Sequence, residues 1–388
     1  MAREYIDQIL DSWARGRNVL LYGPPATGKT RLISELFREL NNPEESTTLI
    51  ELDPLEDPEK ALARPAREIP IPTPVKTVFT TFHQSYTYED FVLGLKPLSK
   101  DGGITLEPWA GLFLDAALEL ADPATRYKSV VLFIDEINRG NAARIFGEFM
   151  TFLDFDYREG GILALPLPLR QLKYTHGTSE PIKRVGGEEV TLPEDFTFPR
   201  NIYVVGTMNS VDRAAVPIDS ALARRFDRIS LLPNAEYLIA FWNIDPSAMP
   251  DSSQWSELSP YESVLKMFRR FNDAIASDMG PEFELGHGMF MSIGSADFNR
   301  DLTTPEIWKK VAYFWDSILY PQLEDRFAGR EDFLLQLLKV DDPPHTGDYA
   351  WQKRGNGGIP TASDTLLPVK LLDLPTAVIA RSLQWLSI

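Results

Sequence analysis

The apolar positions of this chain repeat with two periods, and the alternation between them marks out its elements. Residues 2–15 place Tyr5, Ile6, Ile9, Leu10 and Trp13 on one helical face that ends near Gly16. The apolar run from Asn18 to Tyr22 reads as a buried strand, after which Arg31 to Leu40 returns to helical spacing. Residues 42–74 are rich in Pro and Glu and read as an irregular surface connection. A strand over Val75 to Phe82, a helix over Trp109 to Leu120 and the most hydrophobic strand, Ser129 to Ile134, come next. The pattern then predicts a helix from about Ala142 to Phe155, a Gly/Pro-rich excursion over 160–199 and a second buried strand, Ile202 to Gly206. Strands that are continuous apolar runs, alternating with helices, imply a parallel central sheet flanked by helices on both faces, an α/β fold. From about Asn234 the period turns helical, most clearly over Tyr261 to Ser277 and Thr304 to Tyr320. The expected organisation is a lead-in helix over 1–16, an α/β domain over 17–233, a smaller α-helical domain over 234–340 and a C-terminal extension over 341–388 packed on or near it. That extension opens with the linker-like Asp341-Asp-Pro-Pro and Gly355-Asn-Gly-Gly, and closes with an amphipathic run, Thr376 to Ile388.

Chemistry enters at the strand ends, where ligands of open parallel sheets bind. Directly after the first strand, Gly23-Pro24-Pro25-Ala26-Thr27-Gly28-Lys29-Thr30 fits the phosphate-cradling pattern G-x-x-x-x-G-K-[ST]. Its glycines let backbone N–H groups turn inward around phosphates, Lys29 supplies a point charge to the β/γ oxygens, and the Thr30 hydroxyl is placed for Mg²⁺. Arg31 opens the helix whose positive dipole end faces the triphosphate. After the Ser129 strand come Asp135 and Glu136, the first suited to ordering a metal shell and the second to polarising an attacking water. Thr207 and Asn209 follow the next strand, and Asn209 is a candidate to align that water or touch the γ-phosphate. Arg224 and Arg225, in Ala221-Leu-Ala-Arg-Arg-Phe226, are candidates for an arginine aimed at developing γ-phosphate charge, in cis or from a neighbouring subunit. As isolated features, an acidic pair is as readily a helix cap and two arginines a solvated helix end; their value comes from occurring together.

The charge balance narrows the partners. A net charge of −17 makes this chain a poor candidate for strong nonspecific DNA binding, so DNA is expected to be reached through a complex rather than by this chain alone. With no cysteine and four scattered histidines, disulfides and Cys-type zinc sites are excluded. No apolar run approaches the ~20 residues of a membrane span, and the first residues lack a secretory pattern. No membrane partner and a cytoplasmic location are the expectation. The stretch from Leu169-Arg-Gln-Leu-Lys-Tyr-Thr-His176 to Lys183-Arg-Val-Gly186 interleaves basic and aromatic residues, as a DNA- or partner-touching loop or a solvated hairpin would.

Taken together, Gly23–Thr30, Ile134-Asp-Glu-Ile-Asn-Arg-Gly-Asn141, Gly206-Thr-Met-Asn-Ser-Val-Asp-Arg213 and Ala221–Phe226 resemble the AAA+ superfamily of P-loop NTPases. Within it they resemble the McrB family of GTP-driven restriction motors. Phe82-His-Gln-Ser-Tyr-Thr-Tyr-Glu-Asp-Phe91, Leu285-Gly-His-Gly-Met-Phe290 and Ile318-Leu-Tyr-Pro-Gln-Leu323 add to the likeness, which spans roughly residues 17–335. The resemblance implies a self-assembled ring, usually a hexamer, with GTP (or ATP) and Mg²⁺ bound between subunits and a helical lid after the α/β domain. It implies Lys29 and Thr30 on phosphate and Mg²⁺, Asp135 and Glu136 as metal and water residues, Asn209 as first sensor, and Arg224 or Arg225 as the trans finger. Asp212 and Arg213 would support the site, and His287 would be either a second sensor or a buried structural histidine. An McrC-like nuclease subunit would be the partner, and the complex would translocate on and cut foreign DNA. The family's Gly-His-Ser-Tyr-Phe segment reads Gly286-His-Gly-Met-Phe290 here, and with the N-terminal DNA-reading domain of many relatives not in this sequence, DNA specificity is expected to reside elsewhere. The Asn-Lys-x-Asp base-reading motif of small G proteins is absent, leaving GTP and ATP both open. A MoxR-like ATP-driven chaperone is the alternative, and a nucleotide-bound scaffold without turnover is a third reading.

Overall fold

Why the apolar runs can be continuous is evident from where their side chains go. In the computed structural model, which describes residues 2–41, 69–100, 103–158, 181–191, 196–211, 218–344, 348–351 and 369–388, they form a five-stranded parallel sheet. Its strands are β1 (Asn18–Gly23), β2 (Val75–Thr81), β5 (Ser129–Asp135), β8 (Ile202–Asn209) and β9 (Phe226–Ser230), in the order β2-β5-β8-β1-β9. Along β5, Val130, Leu132 and Ile134 enter one core while Val131 and Phe133 enter the other. Leu20 of β1 and Val204 of β8 share the first core; Val19, Leu21, Tyr203 and Val205 share the second. With both faces covered, the period of two is hidden inside an unbroken apolar run.

The second core is closed by helices α1 (Ala2–Ala14) and α2 (Lys29–Asn41). Ile6, Ile9, Leu10 and Trp13 of α1 are buried there, as are Leu32, Ile33, Leu36 and Leu40 of α2. Each such burial stabilises by roughly 1.5–3 kcal/mol. The first core is closed by α3 (Leu112–Ala121) and by α4 (Ala142–Phe146) with the 3₁₀ turns that follow it, and it holds a cluster of stacked and edge-on rings from Phe82, Phe91, Phe113, Phe146 and Phe198.

Three local expectations differ from what forms. Trp109 and Ala110 end a strand rather than begin a helix: β3 (Leu93–Lys100) and β4 (Gly103–Ala110) make an antiparallel hairpin, and α3 starts only after Gly111. A Cβ at Gly111 would lie 2.2 Å from the Phe91 carbonyl carbon, so this junction requires glycine. The helix over 142–155 is α-helical only to Phe146, because Gly147 takes φ +52° and the chain continues as 3₁₀ turns to Leu153. Of the two arginines that in isolation read as a solvated helix end, Arg225 is buried, and Phe226 already begins β9. The hairpin continues into two short strands, β6 (Ile182–Lys183) and β7 (Glu189–Val190), forming a second sheet in the order β3-β4-β6-β7. Of the 160–199 excursion, residues 160–180 and 192–195 lie outside the described residues.

Contacts divide the chain into two units: Met1–Gly23 with Gly28–Leu231, and Pro24–Thr27 with Leu232–Ile388. The second is helical. It contains α5 (Ala235–Trp242), α6 (Pro260–Met279), α7 (His287–Phe290), α8 (Thr304–Phe314) and α9 (Thr376–Leu386). The 20-residue α6 starts at a capping box: Ser259 Oγ accepts the Glu262 N–H at 3.3 Å and Glu262 accepts the Ser259 N–H at 2.8 Å, with Pro260 at the first turn. Ile379, Leu383 and Leu386 of α9 join the core built on Phe268, Phe271 and Trp315. Among the described residues no helix is long and apolar enough to cross a membrane.

A side-chain network at the strand ends

In-register parallel pairing brings the polar residues together. Ile134 of β5 pairs with Gly206 of β8, and Gly23 of β1 pairs with Asn209 of β8, so the ends of the three strands fall side by side. There the Thr207 hydroxyl donates to Asp135 Oδ1 at 2.5 Å and accepts the Glu136 backbone N–H at 3.0 Å. Asn209 Nδ2 donates to Glu136 Oε1, and Arg139 Nε lies 3.7 Å from Glu136 Oε2. One threonine therefore orders the backbone and the side chain of the acidic pair, while Asn209 orients the second carboxylate. Glu136 takes φ +54°, a left-handed backbone that costs a non-glycine residue about 1 kcal/mol. The bonds from its own N–H and carboxylate offset that cost and turn its side chain out of the strand register.

Lys29, the first residue of α2, is buried and donates from Nζ to the Gly23 carbonyl at 2.9 Å. Burial lowers its pKa to about 8, against the opposing pull of the Glu136 and Asp135 charges. Thr30 and Arg31 are exposed, and Arg31 pairs with Glu35 at 2.9 Å. Gly28 takes φ +92° and accepts the Leu32 N–H at 2.9 Å, starting the helix. Asp135 carboxylate and Thr30 hydroxyl are hard oxygen donors. Among the described residues no group of three or more His, Cys, Asp or Glu could hold a metal ion. A set of one carboxylate and one hydroxyl suits Mg²⁺, which takes its remaining ligands from substrate phosphates and water.

The two arginines differ sharply. Arg225 is buried, with Nε 2.8 Å from Asp154 Oδ2 and Nη1 donating to the Ala221 carbonyl at 2.6 Å. Arg224 is exposed, and its backbone carbonyl accepts from Arg17 Nη2 at 2.7 Å. Its helical turn, Ser220–Ala223, is capped by Asp219, which accepts the Ala221 N–H at 3.0 Å. Asp154, the partner of Arg225, carries no sequence signal, and Thr207, the centre of the network, reads from the sequence only as a polar residue at the strand end, with no role assigned to it. A threonine in an otherwise apolar strand end was the available signal for the latter. Asp212 and Arg213 lie outside the described residues.

In the helical unit, His287 is buried. Its Nδ1 accepts the Asn234 N–H at 3.3 Å, and its ring stacks on Tyr237 at 4.8 Å and 17°. Pro24–Thr27 belong to this unit by their contacts. Thr27 Oγ1 donates to the Pro24 carbonyl at 3.0 Å, Ala26 takes φ +61°, and the Ala26 carbonyl accepts the Gly288 N–H at 2.9 Å.

A parallel sheet with a phosphate loop after one strand and an acidic pair after another defines a P-loop nucleoside triphosphatase. The ATPase family associated with various cellular activities (AAA) matches residues 19–234, and this chain belongs to that family. Among curated relatives, the type IV methyl-directed restriction enzyme EcoKMcrB subunit of Escherichia coli (strain K12) is 28% identical over 291 residues, covering 74% of this chain and 50% of that protein. The type II restriction enzyme BsuMI component YdiS of Bacillus subtilis (strain 168) is 25% identical over 238 residues, covering 54% of this chain and 55% of that one. This chain thus spans about half the length of both relatives. The α/β fold expected from the strand pattern and the McrB-type resemblance both stand.

Proposed function

We propose that this protein is the nucleotide-hydrolysing motor subunit of a DNA-restriction assembly. The observation that carries the reading is the Asp135–Thr207–Glu136–Asn209 network, which supplies a metal ligand and an oriented carboxylate at the strand ends next to Lys29. In this reading Gly23–Thr30 cradle the triphosphate, and Thr30 and Asp135 would hold Mg²⁺, which would supply positive charge against the phosphates. Glu136 accepts a hydrogen bond from the attacking water, and Asn209 keeps that carboxylate aimed. Exposed Arg224 is the residue offered to a neighbouring subunit's γ-phosphate, while Arg225 holds the turn that presents it. The restriction names of both relatives support the restriction assembly; GTP as the fuel, an McrC-like nuclease as partner, a ring, and DNA engaged through that complex complete the proposal.

The test is hydrolysis of GTP and ATP by the purified chain, with and without any nuclease encoded beside it, while assembly size is followed. GTP turnover that rises with the nuclease supports the motor. ATP preference with no response to a nuclease overturns it in favour of a MoxR-like chaperone.

A further inference from the structure

Two glycines of the helical unit come so close to Pro24–Thr27 that side chains would not fit. A Cβ at Gly286 would lie 2.1 Å from the Pro25 carbonyl oxygen and 2.6 Å from Ala26 backbone atoms; one at Gly288 would lie 2.9 Å from the Ala26 oxygen. Real Cβ atoms do not tolerate such distances to backbone, so a substitution must displace one of the two segments. The glycine segment is firmly anchored. Leu285 donates its N–H to Asn272 Oδ1 at 2.7 Å and accepts from Asn272 Nδ2 at 3.0 Å, fixing it to α6. His287 is held by Asn234 and Tyr237, and Phe290 packs between Phe268 and Phe314. Opposite it, Ala26 is a non-glycine residue in left-handed backbone, held by the Gly288 N–H.

We propose that Gly286 and Gly288 are positioning residues for the triphosphate: their backbone is a template that holds Ala26, and with it the phosphate-loop turn, in its binding conformation. The physical reason is the direction of the Ala26 carbonyl. A cradle for phosphate must present N–H groups and turn carbonyl oxygens away, and the Gly288 N–H gives the Ala26 oxygen a partner away from the anion. Bulk at 286 pushes on the Pro25 and Ala26 carbonyls and undoes that arrangement. The inference rests on Gly23–Thr30 being the triphosphate cradle.

The experiment is titration of a fluorescent N-methylanthraniloyl nucleotide with Mg²⁺ into the full chain and its Gly286→Ala, Gly288→Ala and Gly329→Ala variants, with steady-state turnover and the melting temperature of the nucleotide-free protein alongside. Gly329, at φ +81° with open space around its α-carbon, is a control for backbone strain in the same unit. Losing the held conformation should raise the Kd of Gly286→Ala by about tenfold, the worth of one hydrogen bond and its geometry, and that of Gly288→Ala by less. Gly329→Ala should melt earlier yet bind as the parent does. KM should rise with Kd while kcat at saturation holds. Folded Gly286→Ala with parental affinity overturns the proposal, as does a fall in kcat at unchanged KM; if Gly286→Ala does not fold, parental affinity in Gly288→Ala overturns it. A parent protein that binds neither the guanine nor the adenine probe overturns the cradle reading itself, which separates the two failures.

Discussion

Glu136 and Ala26 are both non-glycine residues of the proposed nucleotide site in left-handed backbone, and they are held in different ways. Around Glu136 the hold is made by side chains: Thr207 takes its N–H and Asn209 its carboxylate. Around Ala26 it is made by backbone, the Gly288 N–H, on a segment that fits because two residues have no side chain. The first arrangement places charge and can do chemistry; the second places dipoles and can only shape a cradle. Changes at the strand ends should therefore fall on turnover, and changes at the glycines on affinity.

The largest effect that sharpens this contrast separates structure from chemistry within the arginine pair. Arg225→Ala leaves the partly exposed Asp154 without its buried partner and should cost about 2–3 kcal/mol of stability, read as a lower denaturation midpoint in urea. Arg224→Ala, at an exposed position, should leave that midpoint unchanged. Next is Thr207→Val, nearly the same volume without the hydroxyl. Asp135 and the Glu136 N–H both lose their partner, and kcat should fall about 10- to 100-fold while nucleotide binding persists. Parental turnover in this variant would remove the side-chain half of the comparison.

The smallest effect is a pH dependence of binding. Lys29 has its pKa lowered from 10.5 to about 8 by burial, so the nucleotide-free site loses its ammonium as pH rises through about 8. Triphosphate favours the charged form and restores the proton on binding. Affinity should thus be level below about pH 7.5 and weaken above pH 8 by up to about tenfold per unit, with proton uptake seen by calorimetry in buffers of different ionisation enthalpy. The same shift contributes to folding with the opposite slope: the unfolded chain holds this proton more tightly between about pH 8 and 10.5, so the Lys29 contribution to stability rises with pH in that window. A flat binding profile from pH 7 to 9.5 would contradict the assignment of Lys29 as the phosphate's point charge.

Much of the side-chain half was legible in the sequence, because residues such as Lys29, Asp135, Glu136 and Asn209 follow apolar runs that are unmistakable strands. The hairpin β3–β4 was not. Its Leu95, Ile104 and Leu106 are exposed and interrupted by Gly, Lys and Pro, so no buried face imposes a clear period. Nor could sequence separate Arg224 from Arg225, since the distinction is made by Asp154, 71 positions from Arg225. The backbone half left still less trace: that Gly286 meets Pro25 is a fact of tertiary approach, and glycine in Gly286-His-Gly reads locally as an ordinary turn.

In the proposed nucleotide site the carboxylate comes from one subunit and the arginine from the next. Mixing subunits tests it most directly. Glu136→Gln chains keep Arg224 but lack the water-polarising carboxylate; Arg224→Ala chains keep the carboxylate but offer no arginine. Each alone should turn over nucleotide at least about 10³-fold more slowly than the parent, and mixing them should restore a substantial part of the rate. A mixture no more active than its components, with mixed assemblies demonstrated, or an Arg224→Ala protein as fast as the parent, would contradict the account.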